Sequence, residues 1–143
     1  MRDTEDAMRL VTQKDEEGCG IACVAMLAGT TYAVVAKTYR RVCGKKPGDK
    51  VEGTALSELK EIMRQHGVQI EGRGRWIGRR RPDELDLDCP ALIKMNPRQE
   101  GERWHWAIWD HRGRTLLDPK VPAYKRQKFI SYWRLRLAPE QGA

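Results

Sequence analysis

The hydrophobic pattern of this chain changes near residue 68, and that change limits the folds the chain can adopt. Upstream, apolar residues recur at helical spacing in three segments that each end at a glycine. These predicted helices cover 18–29, 32–44 and 55–67, with Thr30 or Thr31 capping the second and Thr54 opening the third. Downstream, short alternating or apolar runs predict strands at 68–72, 75–78, 90–95, 103–110, 114–118 and 131–137. Helices first and an antiparallel sheet second is an α+β arrangement.

Length and composition indicate one soluble globular domain. Of the 143 residues, 40% are hydrophobic and 33% are charged, so we predict a single domain over 1–143 with its core at about 11–137. The longest apolar stretch, 21–29, is far shorter than the ~20 residues that span a bilayer. The charged N-terminus lacks the apolar region of a secretion signal. The sequence therefore predicts no membrane segment and a cytoplasmic location.

Four cysteines, at positions 19, 23, 43 and 89, raise the questions of disulfides and metal binding. Nothing in the sequence indicates an oxidising compartment, so a disulfide framework is not expected. The cysteines and the three histidines do not fall at the spacing of a zinc site, so no metal is expected either. Without disulfides or a metal, each cysteine is expected to be either a buried apolar side chain or a reactive thiol.

Cys19 differs from the other cysteines in its position at the start of the first predicted helix, between Gly18 and Gly20. Unpaired N–H groups and the positive end of the helix dipole favour a thiolate there, and the thiolate is the nucleophilic form. The flanking glycines let a substrate carbonyl approach the sulfur. Cys23, Cys43 and Cys89 are expected to pack as small apolar side chains. On position alone, Cys19 is either a nucleophile or another buried thiol.

His105 and Asp118 lie on two predicted strands joined by the turn at 111–113. If that turn is symmetric, residues pair when their numbers total 223, which places His105 directly opposite Asp118, and a shifted turn makes them diagonal neighbours. Cross-strand partners are close enough for a hydrogen bond between imidazole and carboxylate. Such a carboxylate fixes the tautomer of the histidine and stabilises its charged form. The spacing therefore predicts a His–Asp pair.

Gln13 lies six residues before Cys19, in a polar approach to the first helix. A side-chain amide there could donate to a developing oxyanion together with the backbone N–H of Cys19. The position of this glutamine carries little information by itself, because polar loops commonly contain glutamine.

Taken together, these residues and the segments around them resemble the double-glycine leader peptidases, which are papain-like cysteine peptidases that process bacteriocin and related precursors. The resemblance is carried by Gln13 and by the segments 19–29, 53–68, 89–95, 105–110 and 113–119, in that order. It implies a papain-like fold that needs no cofactor, with Cys19 as nucleophile, His105 as general base, Asp118 as its orienting partner and Gln13 as oxyanion donor. It also implies cleavage after a Gly-Gly or Gly-Ala site, in a leader peptide that is often acidic. Gly18 departs from the acidic residue that is frequent before the nucleophile in that family.

Two other functions remain open at this point. A papain-like isopeptidase or deamidase acting on another protein would use the same chemistry, because fold does not determine substrate. A basic nucleic-acid-binding module is the other alternative, since the net charge is +7 and one segment alternates arginines with a tryptophan. The residues concerned are Arg73, Arg75, Trp76, Arg79, Arg80 and Arg81. A solvated basic loop would have the same composition.

Overall fold

The computed structural model describes residues 8–96 and 104–138. Three α-helices come first, namely α1 (Cys19–Ala28), α2 (Tyr32–Val42) and α3 (Leu56–Gln65). Five strands follow, namely β1 (Val68–Trp76), β2 (Ala91–Met95), β3 (His105–Asp110), β4 (Thr115–Leu117) and β5 (Phe129–Leu137), with a short 3-10 helix at Pro82–Leu85. The predicted α+β arrangement, with helices preceding an antiparallel sheet, is confirmed.

The helix ends follow from local chemistry. Gly29 ends α1 in the left-handed conformation, at φ 68°, which costs glycine little. Thr31 caps α2 by accepting a hydrogen bond from the Val34 N–H at 3.2 Å. The expectation that Thr54 opens α3 is wrong by one residue: Ala55 is the cap, and its N–H is satisfied by the Glu58 carboxylate at 3.0 Å.

α1 is buried on every side, from Cys19 through Leu27. It contacts α2, α3, β1 and β3. A helix with no polar face packs in the interior of a protein. Cys19, its first residue, is therefore placed next to the sheet. Among the described residues, no single helix is long and apolar enough to cross a membrane, although α1 and α2, bent by 118° at their junction, pass that test as a pair.

The strands form one antiparallel sheet in the order β1-β5-β2-β3-β4. One face packs on the helices through residues such as Trp106, Ile108 and Leu135. The other face carries a second apolar cluster that includes Ile93 and Trp109. Alternate residues of β3 therefore serve two cores, as strand geometry requires.

Two details of the strands differ from expectation. The segments 68–72 and 75–78 were predicted as separate strands, but residues 68–76 form one strand with an irregular register between Glu71 and Arg75. Gly72 adopts φ 75° in that irregularity, which keeps the backbone continuous. In the hairpin, Ile108 pairs with Leu117, so paired numbers total 225 rather than 223. The partner of each β3 residue is thus shifted by two residues, and the centre of the turn by one.

Candidate active site

Cys19 is the first residue of α1 and is 8% exposed, with Gly18 at the helix N-cap. Gly18 makes no side-chain cap, so the first N–H groups of the helix stay directed toward the region of the sulfur. The Trp106 backbone N–H donates to the Cys19 Sγ at 3.4 Å, across 87 residues of sequence. The sulfur therefore lies both at a helix N-terminus and beside a backbone N–H donor.

His105 and Asp118 are paired in the folded chain. The His105 Nε2 lies 2.6 Å from the Asp118 Oδ1, and the two side chains are 5% and 9% exposed. Because the turn is shifted, the residues are diagonal rather than directly opposite, and Asp118 lies just beyond the end of β4. The Lys120 backbone N–H donates to the same carboxylate oxygen at 2.9 Å. Asp118 is thus fixed from two directions.

The imidazole of His105 is poised to hold a positive charge. Burial lowers its pKa and is the largest single effect, but hydrogen bonds to Asp118 and Cys19, with their negative charges, raise it from 6.5 to about 9. Since Nε2 is occupied by Asp118, Nδ1 is the ring nitrogen left for the thiol. The Tyr124 ring packs edge-on against the imidazole, with ring centroids 5.3 Å apart. The structure thus brings Cys19, His105 and Asp118 together.

Gln13 lies in the loop that precedes α1 and is tied to the residue after Asp118. Its backbone N–H donates to the Pro119 carbonyl at 3.0 Å. Its side-chain Nε2 donates to the Asp15 carbonyl at 3.1 Å and to the Glu16 carbonyl at 2.8 Å. Donation to an oxyanion would require one of these two bonds to be exchanged. Residues 12–16 and 119–121 line an open pocket of about 500 Å³ beside this amide.

Comparisons with known proteins identify the family of this chain. The Peptidase C39 family profile matches residues 7–134, which is most of the chain. The chain belongs to the peptidase C39 family. The resemblance inferred from the sequence is therefore confirmed at the level of the family.

A solved structure also matches, described as a double glycine motif protease from an AMS/PCAT transporter in complex with the leader peptide. The similarity covers 92% of each chain, with a TM-score of 0.50 and 16% sequence identity. At that identity the match shows a shared fold. A search of curated proteins found no match.

The remaining cysteines of this C39 peptidase lie in environments that disfavour a thiolate. Cys23 is fully buried one turn after Cys19, and burial, then the negative charges of Cys19 and Asp118, raise the pKa of its thiol. Burial and the neighbouring Glu58 raise the pKa of Cys43 to about 11. Burial also raises the pKa of Cys89. All four cysteines are free.

A metal site needs several ligand side chains close together. Across 8–96 and 104–138, no three His, Cys, Asp or Glu side chains form such a group. The groups that do come together near Cys19 are the His105 imidazole and the Asp118 carboxylate, which are hydrogen-bonded to each other.

The basic segment lies on the edge strand β1 and the loop after it, and β5 and β2 separate β1 from β3, which carries His105. Trp76 is 67% exposed. Arg80 donates to the carbonyls of Ile77 and Trp76, at 2.9 and 3.0 Å, and Arg81 is 3.4 Å from the Asp83 carboxylate. Arg80 and Arg81 therefore make contacts within their own loop. Nucleic-acid binding through this segment stays a prediction.

Several groups around Cys19 escape sequence reasoning. The Trp106 N–H is a backbone donor, and a backbone donor has no signature in the sequence, although its neighbour His105 indicates where to look. The Tyr32 hydroxyl, which donates to Asp15 at 2.6 Å, has no such signature either. Gly20 does more than open access to the sulfur, because a Cβ there would lie 2.6 Å from the Thr54 Oγ1.

Proposed function

We propose that this chain cleaves a peptide bond after a Gly-Gly or Gly-Ala site in a leader peptide or protein tail, with Cys19 as nucleophile. In this proposal His105 is the general base, Asp118 orients it and Gln13 donates to the oxyanion. The observation that carries the proposal is the buried imidazole of His105, hydrogen-bonded to Asp118 at 2.6 Å and close enough to Cys19 for the thiol to raise the pKa of the imidazole. That arrangement is the one nucleophilic catalysis by a thiol requires.

The reaction begins with proton transfer from the Cys19 thiol to His105, which gives a thiolate–imidazolium pair. The pKa of His105, raised to about 9, supports this pair at neutral pH. The thiolate attacks the scissile carbonyl and forms a C–S bond. The carbonyl oxygen becomes an oxyanion, for which the Cys19 backbone N–H and a Gln13 N–H are the proposed donors.

His105 then gives its proton to the leaving nitrogen as the C–N bond breaks, which releases the amine and leaves a thioester on Cys19. A water molecule, deprotonated by His105, attacks the thioester, and the carboxylate product leaves with the thiol restored. Asp118 keeps the imidazole oriented throughout and does not itself need to take a proton. Every proton in this cycle moves through His105.

The substrate class follows from the resemblance rather than from the geometry. The similar solved protease is described as bound to a leader peptide, and we propose a leader peptide for this chain as well. The net charge of +7 favours an acidic leader through long-range attraction. We also propose that residues 1–143 act as one domain in the cytoplasm.

Digestion of matched peptides, followed by mass spectrometry, tests this function. We expect cleavage directly after Gly-Gly and Gly-Ala, and none after the same peptides with Leu or Phe in place of the second residue. Cys19→Ala is the control and should leave every peptide intact. Cuts after bulky residues, or no cut in any peptide, would reject the specificity. A ubiquitin-like conjugate ending in Gly-Gly separates an isopeptidase from a leader peptidase, because only the isopeptidase releases the conjugated protein.

A further inference from the structure

We propose that Asp15, held by the Tyr32 hydroxyl, is a positioning residue that keeps the Gln13 amide in place relative to the start of α1. The inference rests on the proposed function, in which Gln13 and Cys19 donate to one oxyanion. It assigns a role to two residues that touch neither the thiol nor the imidazole in the described structure.

Asp15 is the point where three parts of the loop meet. Its carbonyl accepts from the Gln13 Nε2 at 3.1 Å and from the Gly18 N–H at 3.0 Å. Its carboxylate Oδ2 accepts from the Tyr32 hydroxyl at 2.6 Å. One residue thus joins the predicted oxyanion donor, the N-cap of the helix that carries Cys19, and the first residue of α2.

Tyr32 is a rigid anchor for this contact. It is 5% exposed and begins α2, whose start is capped by Thr31. Burial, then the hydrogen bond to Asp15, raise the pKa of Tyr32 well above its usual value, so its hydroxyl remains a donor at any physiological pH. A buried aromatic ring loses little further freedom when its hydroxyl binds, which makes the contact geometrically stiff.

The Tyr32 hydroxyl occupies the space that a side chain at position 18 would fill. A Cβ at Gly18 would collide with the Tyr32 hydroxyl and would lie 3.3 Å from the Asp15 carbonyl. The φ of Gly18 is −93°, a value that other residues adopt easily, so glycine is not needed there for backbone conformation. The absence of a side chain at 18 therefore serves the contact between Tyr32 and Asp15.

The chemical consequence lies in the two N–H groups of the Gln13 amide. For one N–H to leave the Glu16 carbonyl and reach an oxyanion, the planar amide must turn as a whole, and in this proposal it pivots on the bond of the other N–H to the Asp15 carbonyl. Oxyanion donors act only when they lie within hydrogen-bond distance of the developing charge, and a displacement of about 1 Å costs about 10²-fold in rate. If Asp15 moves, Gln13 moves with it.

Tyr32→Phe tests the proposal because it removes one hydroxyl and keeps the buried ring. We expect kcat on a Gly-Gly peptide to fall about tenfold to 100-fold with KM unchanged, since the lost interaction acts on the transition state. Alkylation of Cys19 by iodoacetamide, followed across pH, should match the wild type, because alkylation needs the thiolate and no oxyanion donor. Tyr39→Phe is the matched control: it removes another buried hydroxyl from α2, one bound by the Glu52 N–H, and should leave kcat unchanged.

Two further variants approach the same contact from the other side. Asp15→Ala should behave like Tyr32→Phe, while Asp15→Asn should retain most of the activity because its amide oxygen still accepts from the hydroxyl. Combining Gln13→Ala with Tyr32→Phe should give no larger loss than Gln13→Ala alone, as two residues acting through one group are not additive. If Tyr32→Phe does not fold, Asp15→Ala and Asp15→Asn provide the same comparison.

Several results would overturn the inference. These are wild-type turnover in both Tyr32→Phe and Asp15→Ala, a parallel loss of alkylation and turnover, or additive losses in the double variant. Equal losses in Asp15→Asn and Asp15→Ala would also reject it, because they would assign the effect to the charge. A wild-type protein that cuts no peptide would instead defeat the proposed function, and the two failures are therefore distinct.

Discussion

The start of α1 and the free edge of β1 both carry polar residues, but they arrange them in opposite ways. At α1, groups from distant parts of the sequence are buried together: Cys19 accepts from the Trp106 N–H, and His105 is hydrogen-bonded to Asp118. At the β1 edge, Arg73 and Arg75 are two positions apart in sequence, and their exposed side chains form no hydrogen bond or ion pair among the described residues. A cluster of charges that are close in sequence can simply be a solvated surface. Polar groups that are distant in sequence and buried together are a stronger indication of a functional site.

The largest loss of activity is expected from substitution of Cys19, and it would support the contrast between the start of α1 and the β1 edge. Cys19→Ala should lower kcat by at least about 10⁴-fold, because the acyl-enzyme cannot form. Cys23→Ala is the matched variant one turn later, and its kcat should stay within about threefold of the wild type. Peptide turnover and circular dichroism of both variants check this. Equal activity in Cys19→Ala and Cys23→Ala would show that Cys19 is not the nucleophile.

A smaller but still large effect is expected at Asp118. Asp118→Asn should lower kcat/KM by about 10²–10⁴-fold, since the imidazole loses its charged partner and its fixed tautomer. In the wild type, activity should decline as pH rises through about 9, where His105 loses its proton. The variant should decline at lower pH, because burial then lowers the pKa without the opposing carboxylate.

Profiles of kcat/KM against pH for both proteins provide the measurement. Asp110→Asn is the control, as Asp110 is also buried on this hairpin but accepts from the Met8 and Arg112 backbone N–H groups. It should lower stability and leave the alkaline limb in place. An unchanged limb in Asp118→Asn would show that the carboxylate does not govern the imidazole.

Gly20 tests whether the packing beneath the sulfur is as tight as the structure indicates. A Cβ at Gly20 would lie 2.6 Å from the Thr54 Oγ1 and 3.1 Å from the Leu59 Cδ1. Gly20→Ala should therefore lower the free energy of unfolding by about 1–3 kcal/mol. Denaturant titration measures this, with Gly53→Ala as control, where only a flexible Glu17 carboxylate oxygen lies within 4 Å. A neutral Gly20→Ala would indicate a looser interior.

The smallest effect is expected at the β1 edge. Combining Arg75→Gln with Trp76→Ala should leave kcat/KM within about twofold, because both side chains are exposed and salt screens an exposed charge. The same variant should bind single-stranded RNA no more weakly than the wild type does. A tenfold loss of turnover, or of RNA affinity, would make this edge functional and erase the contrast.

The sequence alone predicted the three helices, the sheet and the residues that meet at Cys19, because periodicity, caps and turns are local properties. It missed the register of the hairpin by two residues, since the turn length depends on how the 111–114 backbone closes rather than on its composition. The pairing of His105 with Asp118 survived because a diagonal neighbour is still within reach. It could not show that the Gln13 amide is bonded to the loop, because those acceptors are backbone carbonyls.

The hydrogen bond between the Trp106 N–H and the Cys19 Sγ joins the helical half of the chain to the strand half across 87 residues. During synthesis the cysteine leaves the ribosome long before the hairpin that would activate it. Until that hairpin docks, the sulfur has neither the Trp106 N–H nor the His105 imidazole beside it. Under the proposed mechanism, catalysis therefore begins only after β3 has docked against α1.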